Sequence, residues 1–256
     1  MMPALLPGLP LQMAALAMAV FVLAGAVKGV IGLGLPTFSM ALLALWMPPA
    51  QAAALLLLPS LCTNLWQAGP LATLGALWRR LWPMQTGVLL GTLGGVLLFG
   101  PPAGRAGAAL LGLALAGYAL WGLAGRRLPQ RMAQARGVGP LVGVLTGLLT
   151  ALTGVFVLPA VPWLQSLSLD KDELVQAMGL SFTTSTVALG LGLGWAGGAD
   201  TAASLWASLW MLPAAALGIL WGQRLRARLS QAVFRRCFFV ALLALGVWML
   251  WRAVAA

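Results

Sequence analysis

The stretch Gly25-Ala-Val-Lys28-Gly29-Val-Ile-Gly32-Leu-Gly34-Leu-Pro36 places four glycines, a proline and a lysine inside an apolar run. Glycine exposes a helix backbone and proline lacks an N–H donor, so both weaken helix. In lipid the freed backbone groups find no water, and such a break survives only where protein or a wet cavity surrounds it. A lysine in the same run is costly and is a functional hypothesis by default. The chemistry this combination supports is non-covalent capture of an anion. A helix N-terminus offers unpaired N–H groups and a partial positive charge. Lys28 then either faces the anion or snorkels to an interface along its apolar stem.

A weaker copy of the stretch recurs about 122 residues later as Gly147-Leu-Leu-Thr-Ala-Leu-Thr153-Gly154. Turns at Gly32–Gly34 and at Thr153–Gly154 point the N-termini of the runs beginning near Pro36 and Val155 inward at mid-depth. Polar strings follow each break: Thr63, Asn64 and Gln67 after the first, and Ser181, Thr183, Thr184, Ser185 and Thr186 after the second. Hydroxyl and amide groups can replace part of an anion's hydration shell; the alternative is hydrogen bonding between or within helices. Lys28, Gly32, Gly34, Asn64, Thr153, Gly154, Ser181 and Thr184 are therefore the candidate substrate-binding residues.

The elements that position them are apolar. The 256 residues are 61% hydrophobic and 7% charged, with mean hydropathy +0.97. Soluble domains carry roughly a quarter charged residues, so an all-α polytopic membrane protein is expected. The net charge of +11 does not point to nucleic acid. Its arginines fall in short clusters between apolar runs, where they read as topology signals. Met1-Met2-Pro3 carries no basic stretch ahead of its apolar run, so no cleaved signal peptide is expected. Cys62 and Cys237 give no disulfide or metal framework. With no histidine and four scattered acids, neither a catalytic centre, a metal site nor an organic cofactor is expected.

Spans are expected at about 11–31, 52–68, 83–99, 107–124, 174–194, 202–222 and 237–251. Two runs, 36–47 and 155–167, are too short to cross. The most basic loops, 125–137 and 223–236, are expected in the cytoplasm, and so are Arg79 and Arg80, read as part of a linker. The 138–167 stretch must then return to the side it left, as a bent or re-entrant hairpin. The first half starts outside and the second inside. The chain therefore reads as two inverted-topology repeats, 1–125 and 138–256, joined by a basic linker at 126–137. Each repeat is a broken hairpin followed by three spans, with substrate bound between the repeats. Small-residue spacing in Gly87-xxx-Gly91-xx-Gly94 and Ala214-xxx-Gly218-xxx-Gly222 is read as close helix packing. Most tryptophans sit near run ends as an interfacial belt, while Trp163 and Trp195 flank the second repeat's elements. No span holds an acid or histidine, so proton coupling through a carboxylate would have to use a terminal one, Glu173 or Asp200.

These motifs resemble the sulfite and organosulfonate exporter family known as TauE/SafE-like permeases. The resembling residues are Gly25-xxx-Gly29-xx-Gly32-x-Gly34 with Pro36, Pro48-Pro49-Ala50 leading to Asn64, and Gly143-xxx-Gly147, Thr153-Gly154 and Pro159 leading to Ala177-Met-Gly-Leu-Ser181. Gln223-Arg224 resembles the family's last quarter, whereas Phe156 stands where the family pattern has glycine. The resemblance implies a bacterial inner-membrane transporter of small sulfur-containing or carboxylated anions. The expected partners are that anion, the lipid bilayer and a coupling ion, H+ or Na+, with a homodimer left open. The rival readings are a membrane enzyme and a non-transporting membrane assembly partner.

Overall fold

The structure, a computed structural model, describes residues 10–125, 128–196 and 199–255, and over 199–205 the backbone alone. Met1-Met2-Pro3, Arg126 and Arg127 lie outside the described residues. Asp200 falls in the first turn of a helix, and its side chain lies outside them too.

Every regular element among the described residues is a helix. In order they are α1 (Leu11–Ile31), α2 (Leu35–Leu43), α3 (Pro49–Gln67), α4 (Leu71–Phe99), α5 (Gly104–Ala124), α6 (Gln130–Ala133), α7 (Val138–Thr153), α8 (Ala160–Leu164), α9 (Lys171–Trp195), α10 (Ala199–Arg226) and α11 (Gln231–Ala255). Among the described residues α1, α4, α5, α9 and α11 are long and apolar enough to cross a membrane. Helices α3 and α10 cover the two remaining stretches read as spans.

The helices outrun the apolar segments. Arg79 and Arg80 belong to α4 and not to a linker, because nothing between Leu71 and Trp82 interrupts the backbone ladder. Arg80 Nη2 donates to the Leu167 carbonyl at 2.8 Å, which anchors that polar extension. Likewise the basic stretch 223–236 is mostly helical, with Arg224 and Arg226 in the last turn of α10. Cations there complement the partial negative charge of a helix C-terminus.

Two compact units emerge. The described parts of unit 1 lie within Met1–Pro59, Ala103–Ala124 and Gly197–Ala256, and those of unit 2 within Ser60–Pro102 and Gly125–Ala196. Each unit thus draws helices from both halves of the chain.

Unit 1 is built on two helix pairs, α1 with α10 and α5 with α11. Gly25 and Gly29 face the carbonyls of Ala215 and Ile219, and Gly218 and Gly222 face those of Val22 and Ala26. A Cβ at any of the four would strike backbone. Lipid supplies no hydrophobic force between helices, so this close approach is what holds the pair. Gly25 and Gly29 therefore serve packing, and within the Gly25–Pro36 stretch only Gly32 and Gly34 form the break.

Unit 2 repeats the device with α4 and α7. Gly143 and Gly147 face the carbonyls of Met84 and Val88, while Gly87 and Gly91 face those of Pro140 and Val144. The next contact along α4 comes from Gly95 against Ala151, and not from Gly94, which faces open space. The packing register is therefore every fourth residue. Polar ties join the end of α3 and the start of α4 to α9. Gln67 donates to the Val175 carbonyl, Gln176 Nε2 donates to the Pro70 carbonyl, and the Thr73 hydroxyl donates to Gln176 Oε1 at 2.9 Å.

Trp66, Trp78, Trp82, Trp210, Trp221, Trp248 and Trp251 are exposed, as interfacial rings are. Trp163 is buried instead, and its indole N–H donates to the Ala133 carbonyl at 2.9 Å, pinning α6.

Candidate functional site

In unit 1 the chain breaks between α1 and α2. Gly32 ends α1 in the left-handed conformation at φ 75°, and its N–H donates to the Lys28 carbonyl at 2.7 Å. Gly34 follows at φ 103° with the side chains of Val27 and Phe238 against it. Both conformations disfavour a side chain, which explains the Gly-Leu-Gly sequence. Helix α2 then starts at Leu35 with Pro36 in its first turn, where a missing N–H costs nothing. No side chain caps this N-terminus. Lys28 is only 7% exposed and sits in the last turn of α1, where its charge also complements the helix's C-terminal end.

In unit 2 the break follows α7. Gly154 is left-handed at φ 71° and its N–H donates to the Thr150 carbonyl. The Thr153 hydroxyl donates to the Leu149 carbonyl at 2.6 Å and accepts from the Val155 N–H at 3.2 Å, so it holds the turn. The second helix does not begin near Val155. Residues 155–159 are non-helical, the Leu158–Pro159 peptide is cis, and α8 spans only five residues from Ala160. So short a helix sums few peptide dipoles. The two breaks are therefore unequal: α2 presents a helix N-terminus, and the second break presents non-helical backbone that ends in a turn. The Phe156 ring lies 5.5 Å from that of Phe182, which brings this break against α9 beside Ser181.

The polar string on α9 divides in two. Thr183, Thr184 and Thr186 donate their hydroxyls to the carbonyls of Gly179, Leu180 and Phe182 one turn back. Ser181 and Ser185 are fully buried, and neither hydroxyl has a partner among the described residues. Asn64 is fully buried on α3, whose end meets α9 where Ala68 packs on Gly179. Residues outside the candidate set share the character of Ser181. Thr37 and Ser39 on α2, Ser60 on α3, and Gln85 and Thr92 on α4 are buried with side-chain polar atoms unpartnered among the described residues. Their signal in the sequence is a polar residue isolated in an apolar run, seven apart for Gln85 and Thr92.

Buried polar groups normally find partners. Each unit thus holds buried hydroxyls without a partner among the described residues: Thr37 and Ser39 after the first break, and Ser181 and Ser185 on the helix that packs against the second. The family model described as sulfite exporter TauE/SafE matches residues 17–249. The chain belongs to the sulfite exporter TauE/SafE family. No curated protein and no solved structure matches it. The match spans both breaks and all eight candidate residues, and it takes in α4, α5 and α9 whole and most of α1 and α11. As a member of TauE/SafE, the chain is a multi-pass membrane protein of a transporter family.

Proposed function

We propose that this TauE/SafE protein exports a small anion, sulfite or an organosulfonate, across a bacterial cytoplasmic membrane by alternating access between two inverted sequence repeats. The observation that carries the reading is the start of α2. Its first-turn N–H groups open at Gly34 without a side-chain cap, and the buried Thr37 hydroxyl beside them has no partner among the described residues. Uncapped N–H groups and a free hydroxyl suit an oxyanion, which accepts several hydrogen bonds at once. Lys28, one turn before Gly32, supplies positive charge on the other side of the break. Within unit 2, Gly154 and the non-helical backbone after it, with Asn64 and Ser181, are proposed as donors without fixed charge. An anion held mainly by neutral donors binds loosely enough to leave, as transport requires.

The test is flux into proteoliposomes. Labelled sulfite, sulfoacetate and taurine are offered to wild type and to Lys28→Ala, with and without imposed H+ or Na+ gradients. Saturable flux that drops with the substitution supports both the transporter and Lys28 as its cation. Unchanged flux in Lys28→Ala moves that lysine to a helix-terminal role. Absence of flux for every anion, from folded protein, overturns the transport reading in favour of a non-transporting membrane partner.

A further inference from the structure

Among the arginines, Arg105 and Arg252 fall outside the clusters expected in the cytoplasm. Helices α5 and α11 pack antiparallel, with Gly112 against the Gly246 backbone and Gly122 against the Phe239 ring. Arg235 and Arg236 lie at one end of this pair, the start of α11. Arg105, at the start of α5, and Arg252, in the last turn of α11, lie at the opposite end. By the charge distribution that orients the chain, this is the non-cytoplasmic end, where arginine is disfavoured. Arg105 breaks a second local rule, since a cation in the first turn of a helix opposes its dipole. A residue that violates two local preferences is where a functional demand is expected.

Both arginines line one cavity of about 330 Å³ within unit 1. Leu45, Trp46 and Met47, from the turn after α2, and Met249 complete much of its wall. Arg252 Nη1 donates to the Leu45 carbonyl at 3.5 Å, which ties that exposed guanidinium to the turn after α2. The Arg105 side chain, which is exposed, makes no hydrogen bond among the described residues, and the described carboxylates, Asp170, Asp172 and Glu173, all belong to unit 2. Two guanidiniums carry far more N–H donors than the protein uses here. The wall is otherwise apolar.

We propose that this cavity is a second anion site, on the non-cytoplasmic face, for a sulfonate or phosphate group carried on an apolar stem. The paired arginines hold the oxyanion, and Trp46, Met47 and Met249 hold the stem. Two sources share this chemistry: a free alkyl sulfonate, and the headgroup of an anionic phospholipid.

Protection of the arginines from phenylglyoxal, read by peptide mass spectrometry on the full chain in neutral detergent, tests the site without reference to transport. The probes are ethanesulfonate, short-chain phosphatidylglycerol and short-chain phosphatidylcholine. The exposed Arg79 and Arg236 serve as references. At ten times the dissociation constant, mass action slows labelling of Arg105 about tenfold. Protection by ethanesulfonate assigns the site to a free anion, and protection by phosphatidylglycerol alone assigns it to a lipid headgroup. Equal labelling of Arg105 under all three probes overturns the proposal. Ala108 also lines the cavity, and Ala108→Phe keeps both arginines while filling the space. Protection that survives in Ala108→Phe overturns it as well.

Discussion

Ser208 on α10 repairs the hydrogen-bond ladder that Pro59 interrupts on α3. Proline at 59 cannot donate to the Leu55 carbonyl, and the Ser208 hydroxyl donates to it instead, at 2.7 Å, while accepting from the Leu58 N–H at 3.1 Å. The pair shows how a proline survives inside a helix of this fold: a neighbouring hydroxyl satisfies the orphan. Ser208 is fully buried, so water offers no substitute. Ser208→Ala is expected to cost about 1–3 kcal/mol, the penalty of an unsatisfied buried carbonyl. Pro59→Ala in that background restores an N–H and should recover most of the loss. Unfolding titrations in mixed micelles measure both, and additive losses in the double variant would refute the pairing.

Two glycines seven residues apart should fail for different reasons. Gly25 has the α10 backbone against it, so a methyl group there overpacks the pair and costs about 1–3 kcal/mol. Gly32 has nothing within 4 Å, but its φ of 75° is left-handed. Alanine there costs about 1–2 kcal/mol from conformation alone. Asparagine tolerates that conformation better, so Gly32→Asn should be the milder change, whereas Gly25→Asn should be worse than Gly25→Ala. Thermal stability in detergent reads the order. Equal losses for Gly32→Ala and Gly32→Asn would remove conformation as the cause.

This contrast also explains what was legible in the sequence. Helix content, both breaks and the proline at the start of α2 follow from composition and from glycine and proline chemistry. What the sequence hid was the division of labour among like residues. Gly25 and Gly32 look alike in a row, and only the neighbouring helix separates packing from turning. Ser181 and Thr184 look alike too, until the back-bond to Leu180 is seen. The late start of α8 was hidden because Val155, Phe156 and Val157 suit a helix in lipid. The charge of Arg79 and Arg80 resembles a linker in sequence, whereas a helix extends readily beyond an apolar segment when an arginine finds a carbonyl such as that of Leu167.

The division of hydroxyls on α9 gives a prediction for substrate affinity. Ser181→Ala and Ser185→Ala remove groups with no partner among the described residues, so stability should change little. If the transported anion is their missing partner, each loses a hydrogen bond to a charged group, worth about 1.5–3 kcal/mol. That corresponds to a rise in KM for sulfite of about tenfold or more. Thr184→Val and Thr186→Val remove only a bond to their own helix and should leave KM near wild type. Concentration-dependent flux in proteoliposomes separates the two groups. The reverse ranking would move the anion away from the buried serines.

The acids at the start of α9 are committed to the helix. The Asp170 carboxylate accepts from the N–H groups of Asp172 and Glu173, at 2.9 and 2.8 Å, and Glu173 Oε2 accepts from the Asp170 N–H at 3.1 Å. This reciprocal box satisfies orphan donors and places negative charge at the helix N-terminus. Glu173 is also exposed, which suits a cap and not a proton relay inside the membrane. Glu173→Gln keeps the bond to the Asp170 N–H and loses only the charge, a change of about 0.3–1 kcal/mol. Flux, and its dependence on an imposed pH gradient, should be unchanged in that variant. Asp170→Ala removes the cap itself and should cost about 0.5–2 kcal/mol of stability, again with the pH-gradient response intact. Loss of that response in Glu173→Gln would make Glu173 the proton-carrying group and overturn its assignment as a cap.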